Sequence, residues 1–362
     1  METVVTVLVF FGMLSILVII HELGHFLTAK KFGIKVEEFG FGLPPRIFGI
    51  KKGETIYSLN WLPIGGFVKL YGEDLEPGQK APNSMINRAF YSRPIWQRVI
   101  VLVAGVFMNF VLSVAIVTYL FTQGVMVPSG QVKIEHVVSG SPAEKGGLKE
   151  GDIITDIKAE NKDISITKSE DLGATVKKYL GKEITVGVLR DGEKTSVLLV
   201  PRKDYPPGEG PMGVAIGDHV KKVYSITQAP IEGTKESVNR TVEIVKGIST
   251  TLAKFFIQRK PVGDDVAGPL KIGQMTGEIR KLGLLPFLDF MGLISLNLAI
   301  INILPFPALD GGRLLFVILE ALFGRKVKPA FERYAHLAGM AVLLTLIFLI
   351  SINDIIKLVI GK

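Results

Sequence analysis

Four stretches of the chain are apolar for long enough to leave water. Residues 3–20 carry no charge, and the run continues past His21 and His25 to Ala29. Residues 99–121 are uncharged as well. A third run, about 284–309, holds only Asp289 near its start, and a fourth, about 335–353, only His336. Each reaches or nears the roughly 20 residues that a bilayer-crossing helix needs. The pattern predicts a polytopic α-helical membrane protein with four transmembrane helices. Glu2 is the only charged side chain ahead of the first run, so it lacks the basic start of a signal peptide.

Between these runs the periodicity changes. Residues 36–70 contain short β-type runs separated by Gly/Pro turns, which predicts a β-hairpin region next to the first helix. Residues 128–202 read as a small α/β domain, with strands QVKIEHVV and GDIITDI, a helix SEDLGATVKKYL, and two strands joined by Arg190-Asp191-Gly192-Glu193. The Pro/Gly cluster at 205–213 closes it. In 234–258, Val238, Val242, Val245, Ile248, Leu252, Phe255 and Phe256 recur at helical spacing, an amphipathic helix. As a fifth span it would put Glu243, Lys246 and Lys254 in hydrocarbon, at about 2.5–3.5 kcal/mol for a central charge. It is therefore expected to lie on the membrane surface. The expected organisation is 1–122 (first two spans and the hairpin), 128–202 (inserted domain), 203–283 (linker and surface helix) and 284–362 (last two spans).

Charge supplies an orientation. The loop 30–98 holds 11 Lys/Arg against 6 Asp/Glu, and 310–334 adds Arg313, Arg325, Lys326, Lys328 and Arg333. By the positive-inside rule both loops are cytoplasmic, while the N-terminus and the inserted domain are extracytoplasmic. The net charge of +8 belongs to these loops. No basic stripe or motif points to nucleic acid. With no cysteine, a cysteine nucleophile, thiolate zinc and iron–sulfur clusters are excluded.

The chemistry begins at His21-Glu22-Leu23-Gly24-His25. Histidines at i and i+4 share a helix face and can bind one metal, with Glu22 placed to take a proton from water. Three ionisable side chains inside a span point to function. A zinc hydrolase needs a third ligand. His136 and His219 fall in the outer segment and His336 opens the fourth span, so the better candidate is Asp310, after Asn302-Ile-Leu-Pro-Phe-Pro-Ala-Leu. With four spans, the first and third both run inward, which delivers His21 and Asp310 to the same side. Pro305 and Pro307 break the third helix at membrane depth, tolerable only beside protein or a polar cavity. Asn302 offers an amide donor there.

These residues resemble the bacterial site-2 protease family, and within it the regulator-of-sigma-E type of intramembrane zinc protease. The match rests on HELGH (21–25) and Asn302-x-x-Pro-x-Pro-x-Leu-Asp-Gly. It is supported by Glu38–Gly42, Pro63–Lys69, Gly105 with Asn109, and Val266–Pro269. The resemblance implies a Zn2+ enzyme with His21, His25 and Asp310 as ligands, Glu22 as catalytic base, and Asn302, Gly40, Phe41 and Gly42 at the substrate. It also implies a re-entrant β-hairpin, an extracytoplasmic PDZ-like domain, and a multi-pass inner-membrane location with the active site toward the cytoplasm. Its partners would be the lipid bilayer and single-pass membrane substrates, such as an anti-sigma factor or a remnant signal peptide. Two features depart from the pattern: Val106 stands where Pro often follows the glycine, and only one PDZ-like module fits. A transporter using the same ligands would line several spans with ionisable groups, which the second and fourth lack. A PDZ scaffold would have no use for Glu22.

Overall fold

Helix α1 (Glu2–Lys31) takes the whole first apolar run, and Lys30 and Lys31 in its last turn sit favourably at the negative end of the helix dipole. In the computed structural model the described residues are 2–73, 83–160, 162–206, 208–257, 267–325, 327 and 329–360. Val266, Lys326 and Lys328 lie outside them. After α1 come strands β1 (Val36–Lys52) and β2 (Thr55–Leu70), two short 3-10 turns, and helix α2 (Ile95–Gln123). The chain returns through α5 (Ala229–Phe256), α6 (Pro269–Lys281), α7 (Leu284–Ile303), α8 (Asp310–Phe323) and α9 (Pro329–Ile360). By length and composition, four helices among the described residues suit a membrane: α1, α2, α7 and the Ala330–Lys357 portion of α9. Helix α5 is not among them.

The first compact unit comprises residues 1–120 and 225–362. Within it α1 and α2 meet without intervening side chains: a Cβ at Gly24 would fall 2.6 Å from the Ala104 carbonyl carbon. A buried bidentate pair ties α2 to α8, with Arg98 donating to both Glu320 oxygens at 2.7 and 2.9 Å.

The β1–β2 pair is longer and more folded than a plain hairpin. Residues 46–52 pair antiparallel with 55–60. Residues 38–41 are partnered on one side by Ile56–Leu59 in ascending order, and on the other by Lys69–Gly66 in descending order. The result is a small sheet whose edges are 46–52 and 66–70. Its base is anchored by Thr55 Oγ1, which donates to the Val36 carbonyl at 2.8 Å. Glu54 there accepts from Arg88 and Lys30 at 2.7–2.9 Å.

The second unit, residues 121–224, is a sheet with two short helices. It holds β3 (Val125–Val137), α3 (Pro142–Gly146), β4 (Ile153–Ala159), β5 (Lys162–Ser165), α4 (Ser169–Lys178), β6 (Ile184–Arg190), β7 (Glu193–Leu199) and β8 (Val214–Lys222). Strand order is β7-β6-β4-β3-β8, with β5 against β4. Ile134, Ile154, Ile157, Ile184 and Val186 form its core, covered by Leu172 and Val176 one turn apart on α4.

Three elements differ from the sequence expectation. The Pro/Gly cluster at 205–213 is a turn into β8 rather than the end of the sheet, because β8 returns along β3. Residues 269–281 form a helix, α6, whose Gly277 lies against Thr6 of α1. Residues 310–323 also form a helix rather than a loop.

The ion pairs at the hairpin base give a pH test. Arg88 first and Lys30 second hold the Glu54 carboxyl at about 2. A depressed folded value stabilises above the unfolded carboxyl range and is lost as pH falls from about 4.5 toward 2. Glu54→Gln is expected to lower Tm at pH 7 by roughly 2–4 °C, and the difference from wild type should vanish by about pH 2. Thermal melts across that range check it; a gap unchanged by pH would contradict the assignment.

Candidate metal centre

His21 and His25 lie on the buried face of α1, one turn apart, 6% and 8% exposed. Asp310 opens α8, where the chain re-forms a helix after Pro305 and Pro307. Their donor atoms all fall within 4.8 Å of one another. His21 Nε2 is 2.8 Å from Asp310 Oδ2, His25 Nε2 is 3.2 Å from the same oxygen, and the two Nε2 atoms are 3.2 Å apart. Donors around a tetrahedral ion with bonds of ~2.05 Å sit about 3.3 Å apart, so the triangle has the size of one metal ion.

The surroundings fit a metal as well. His25 Nδ1–H donates to the Val101 carbonyl at 2.8 Å, leaving the Nε2 lone pair free. His21 Nδ1 lies 3.4 Å from the Asn109 amide nitrogen, while Asn109 Oδ1 is buried without a partner. Turning that amide over gives Oδ1 the Nδ1 proton and frees the His21 Nε2 lone pair in the same way. Ser295 Oγ donates to the Asn109 backbone carbonyl at 2.8 Å, fixing the helix turn that presents it. Gly105 of α2 faces the gap directly: a Cβ there would come 2.7 Å from His21 Nε2 and closer still to His25 Nε2.

Two cavities open on this cluster. One, about 200 Å³, is polar and lined by Val18, His21, Glu22, Asn109, Asn302 and Asp310. The other, about 620 Å³, is lined by Glu22, His25, Val68, Leu70, Asp310 and His336, among others. Glu22 and Asp310 border both. Strand edge 66–70 comes up against α1 here: a Cβ at Gly66 would sit 3.5 Å from Glu22 Cγ. Gly40 and Phe41 instead occupy the interior of the small sheet, paired on both sides, and Gly40 packs on the Phe67 ring. Gly42 follows them with φ 79°, close to the Leu62 carbonyl. Sequence reasoning gave no role to Gly105 or Asn109, and passed over His336, which opens the fourth span, in favour of Asp310. The four-residue spacing of Gly105 and Asn109 on one face of α2 was the available signal.

A membrane-suited helix carrying two imidazoles and an adjoining glutamate, with the Asp310 carboxylate of α8 closing an ion-sized gap, has the parts of a membrane metallopeptidase. The chain belongs to Peptidase family M50, whose model matches residues 9–346. It is similar to the regulator of sigma-W protease RasP of Bacillus subtilis, 30% identical over 99% of both chains. It is likewise similar to the zinc metalloproteases RasP of Bacillus licheniformis (30%, covering 99% of this chain and 100% of that one) and of Oceanobacillus iheyensis (30%, 98% and 99%). The protein is a zinc metalloprotease.

Gly105→Ala should strip zinc while leaving the protein folded and membrane-inserted, because its methyl would occupy the ion's place. Metal analysis of the purified variant checks this. Wild-type zinc content would mean that the ion sits elsewhere.

Proposed function

We propose that the enzyme is an intramembrane endopeptidase in which His21, His25 and Asp310 hold the zinc and Glu22 is the general base. The observation that carries this is the single triangle of donors from α1 and α8, with Glu22 lining both cavities that open on it. Zinc supplies Lewis acidity, bringing the pKa of water down to about 7 and polarising the scissile carbonyl. Glu22 takes the proton from the attacking water and passes it to the leaving amine. Asn302, in the smaller cavity, donates its amide N–H toward the carbonyl oxygen as charge develops there.

Substrate reaches this point as an extended segment. A helical substrate hides its scissile carbonyl in an i→i−4 hydrogen bond, and unwinding strands its backbone groups in an apolar medium. Edge 66–70, beside Glu22, replaces those bonds by β-addition. Gly40, Phe41 and Gly42 act behind it, as the inner strand that keeps the edge straight. The substrates are single-pass membrane proteins. Kinship with a regulator of sigma-W protease favours a membrane-anchored sigma-factor regulator over a remnant signal peptide.

The cytoplasmic side holds the hairpin and α8, and the unit 121–224 lies outside as a PDZ-like module that controls access. Its bulk excludes substrates whose outer domains have not been trimmed. Excising it should let the enzyme cut an untrimmed substrate; weakened cleavage of the natural one would favour peptide capture instead.

His21→Ala, His25→Ala and Asp310→Ala should lose most zinc, whereas Glu22→Gln should keep it and be inactive. Membrane proteomics of Glu22→Gln cells should reveal an accumulating single-pass fragment. Full zinc in Asp310→Ala would remove the third ligand. Reporter fusions at 325 and 190 should score cytoplasmic and exoplasmic; 190 inside would overturn the topology. Pro in place of Val68 should lower turnover with zinc retained, since Pro removes a ladder donor, and unchanged turnover would exclude this edge.

A further inference from the structure

Asp310 begins a helix that no side chain caps, after a turn closed locally by the Leu309 N–H donating to the Phe306 carbonyl at 3.2 Å. The N-cap of α8 is Leu309, which offers no side-chain bond. The residue before it, Ala308, has φ 83°, a left-handed conformation that a residue with a Cβ keeps only where its surroundings enforce it. The turn's contact from outside comes from α9. His336 Nδ1 accepts the Ala308 backbone N–H at 2.9 Å. Phe316 of α8 meets the His336 ring edge-on, with centroids 5.8 Å apart and planes at 72°. Three residues along α9, Gly339 lets the helix backbone lie against the same loop, for a Cβ there would be 2.6 Å from the Pro307 carbonyl carbon. The ring is held by Phe316 and by the turn itself, with one nitrogen committed to the turn that delivers Asp310.

We infer that His336 is a positioning residue: by accepting the Ala308 N–H it holds the turn that aims Asp310 at the metal. This rests on the reading of Asp310 as a zinc ligand and names what keeps it there. Without the acceptor, Ala308 relaxes toward φ < 0, the Leu309–Asp310 peptide rotates, and Asp310 Oδ2 leaves the triangle it forms with the two imidazoles. His336 touches neither metal nor substrate in this role. Its effect passes through the backbone of two residues.

The test uses the full-length protein in detergent, with zinc affinity measured by equilibrium competition against a chromophoric chelator. Asn places an acceptor oxygen where His336 Nδ1 is, whereas Gln reaches the Nε2 position and Leu offers nothing. His336→Leu and His336→Gln should bind zinc about 10-fold or more weakly, the usual range for a lost outer-shell partner, and His336→Asn should stay within about threefold of wild type. At saturating zinc, the Leu and Gln variants should lose kcat with KM little changed. Adding Ala308→Gly to His336→Leu should recover affinity, because glycine adopts the left-handed turn unaided. Wild-type affinity in His336→Leu, or an Asn variant as weak as the Leu variant, overturns the inference. If the Leu variant does not fold, the Asn and Gln pair decides alone. Wild-type zinc affinity in Asp310→Ala would instead sink the underlying ligand assignment. Weak binding in Asp310→Ala beside unchanged binding in His336→Leu rejects only the role of His336.

Discussion

Two imidazoles and a carboxylate, drawn from positions 289 residues apart, share one gap between packed helices. Buried groups of this kind are costly unless each finds a partner, and three lone-pair donors facing one another cannot all be satisfied by protons. A divalent cation would resolve the conflict, since its charge outweighs every other local charge. Much of the surrounding structure follows from keeping that gap ion-sized. Gly24 and Gly105 let α1 and α2 approach until the α2 backbone walls the site. Val101 and Asn109 commit the outer imidazole nitrogens. The proline break after α7 turns the chain so that a helix N-terminus presents Asp310.

What the sequence made legible and what it hid differ in physical kind. HELGH declares itself because two candidate ligands one turn apart need no tertiary structure to share a face. Asp310 was singled out by an expected topology, counting apolar runs to put it on the same side as His21, and the structure brings its Oδ2 to 2.8 Å from His21 Nε2. The helices α6 and α8 were not readable. Leu309 gives α8 no capping signal, the α8 apolar face ran into the loop expected from its arginine, and α6 earns its place by packing Gly277 on Thr6 of α1. The strands of the second unit were expected only up to residue 202, because a Pro/Gly cluster reads alike as a domain end and as a turn into another strand. Only pairing with β3 distinguishes them. The partners of the ligands were hidden for the same reason. A lone Asn or His in an apolar run carries no local mark of what it bonds, and the Ala308 conformation that gives His336 its role is invisible in an alanine.

The small sheet shows how one hairpin serves two surroundings. Its far edge, 46–52, exposes Ile47, Phe48 and Ile50, and the neighbouring segments expose Leu59, Trp61 and Leu62. An apolar edge in water is an aggregation hazard; against lipid those side chains are in a favourable medium, which suits a re-entrant position. An extended substrate added there would lie on the wrong side of the sheet, with segments 55–60 and 36–42 between it and the zinc. The near edge, 66–70, borders the larger cavity together with Glu22 and Asp310. Glycine at 66 brings this edge against Glu22, and Phe67 packs across Gly40 of the inner strand. On the proposed reading, a scissile bond paired on this edge would meet both Glu22 and the donor triangle. The fourfold path of the hairpin is what separates the apolar edge from the edge beside Glu22.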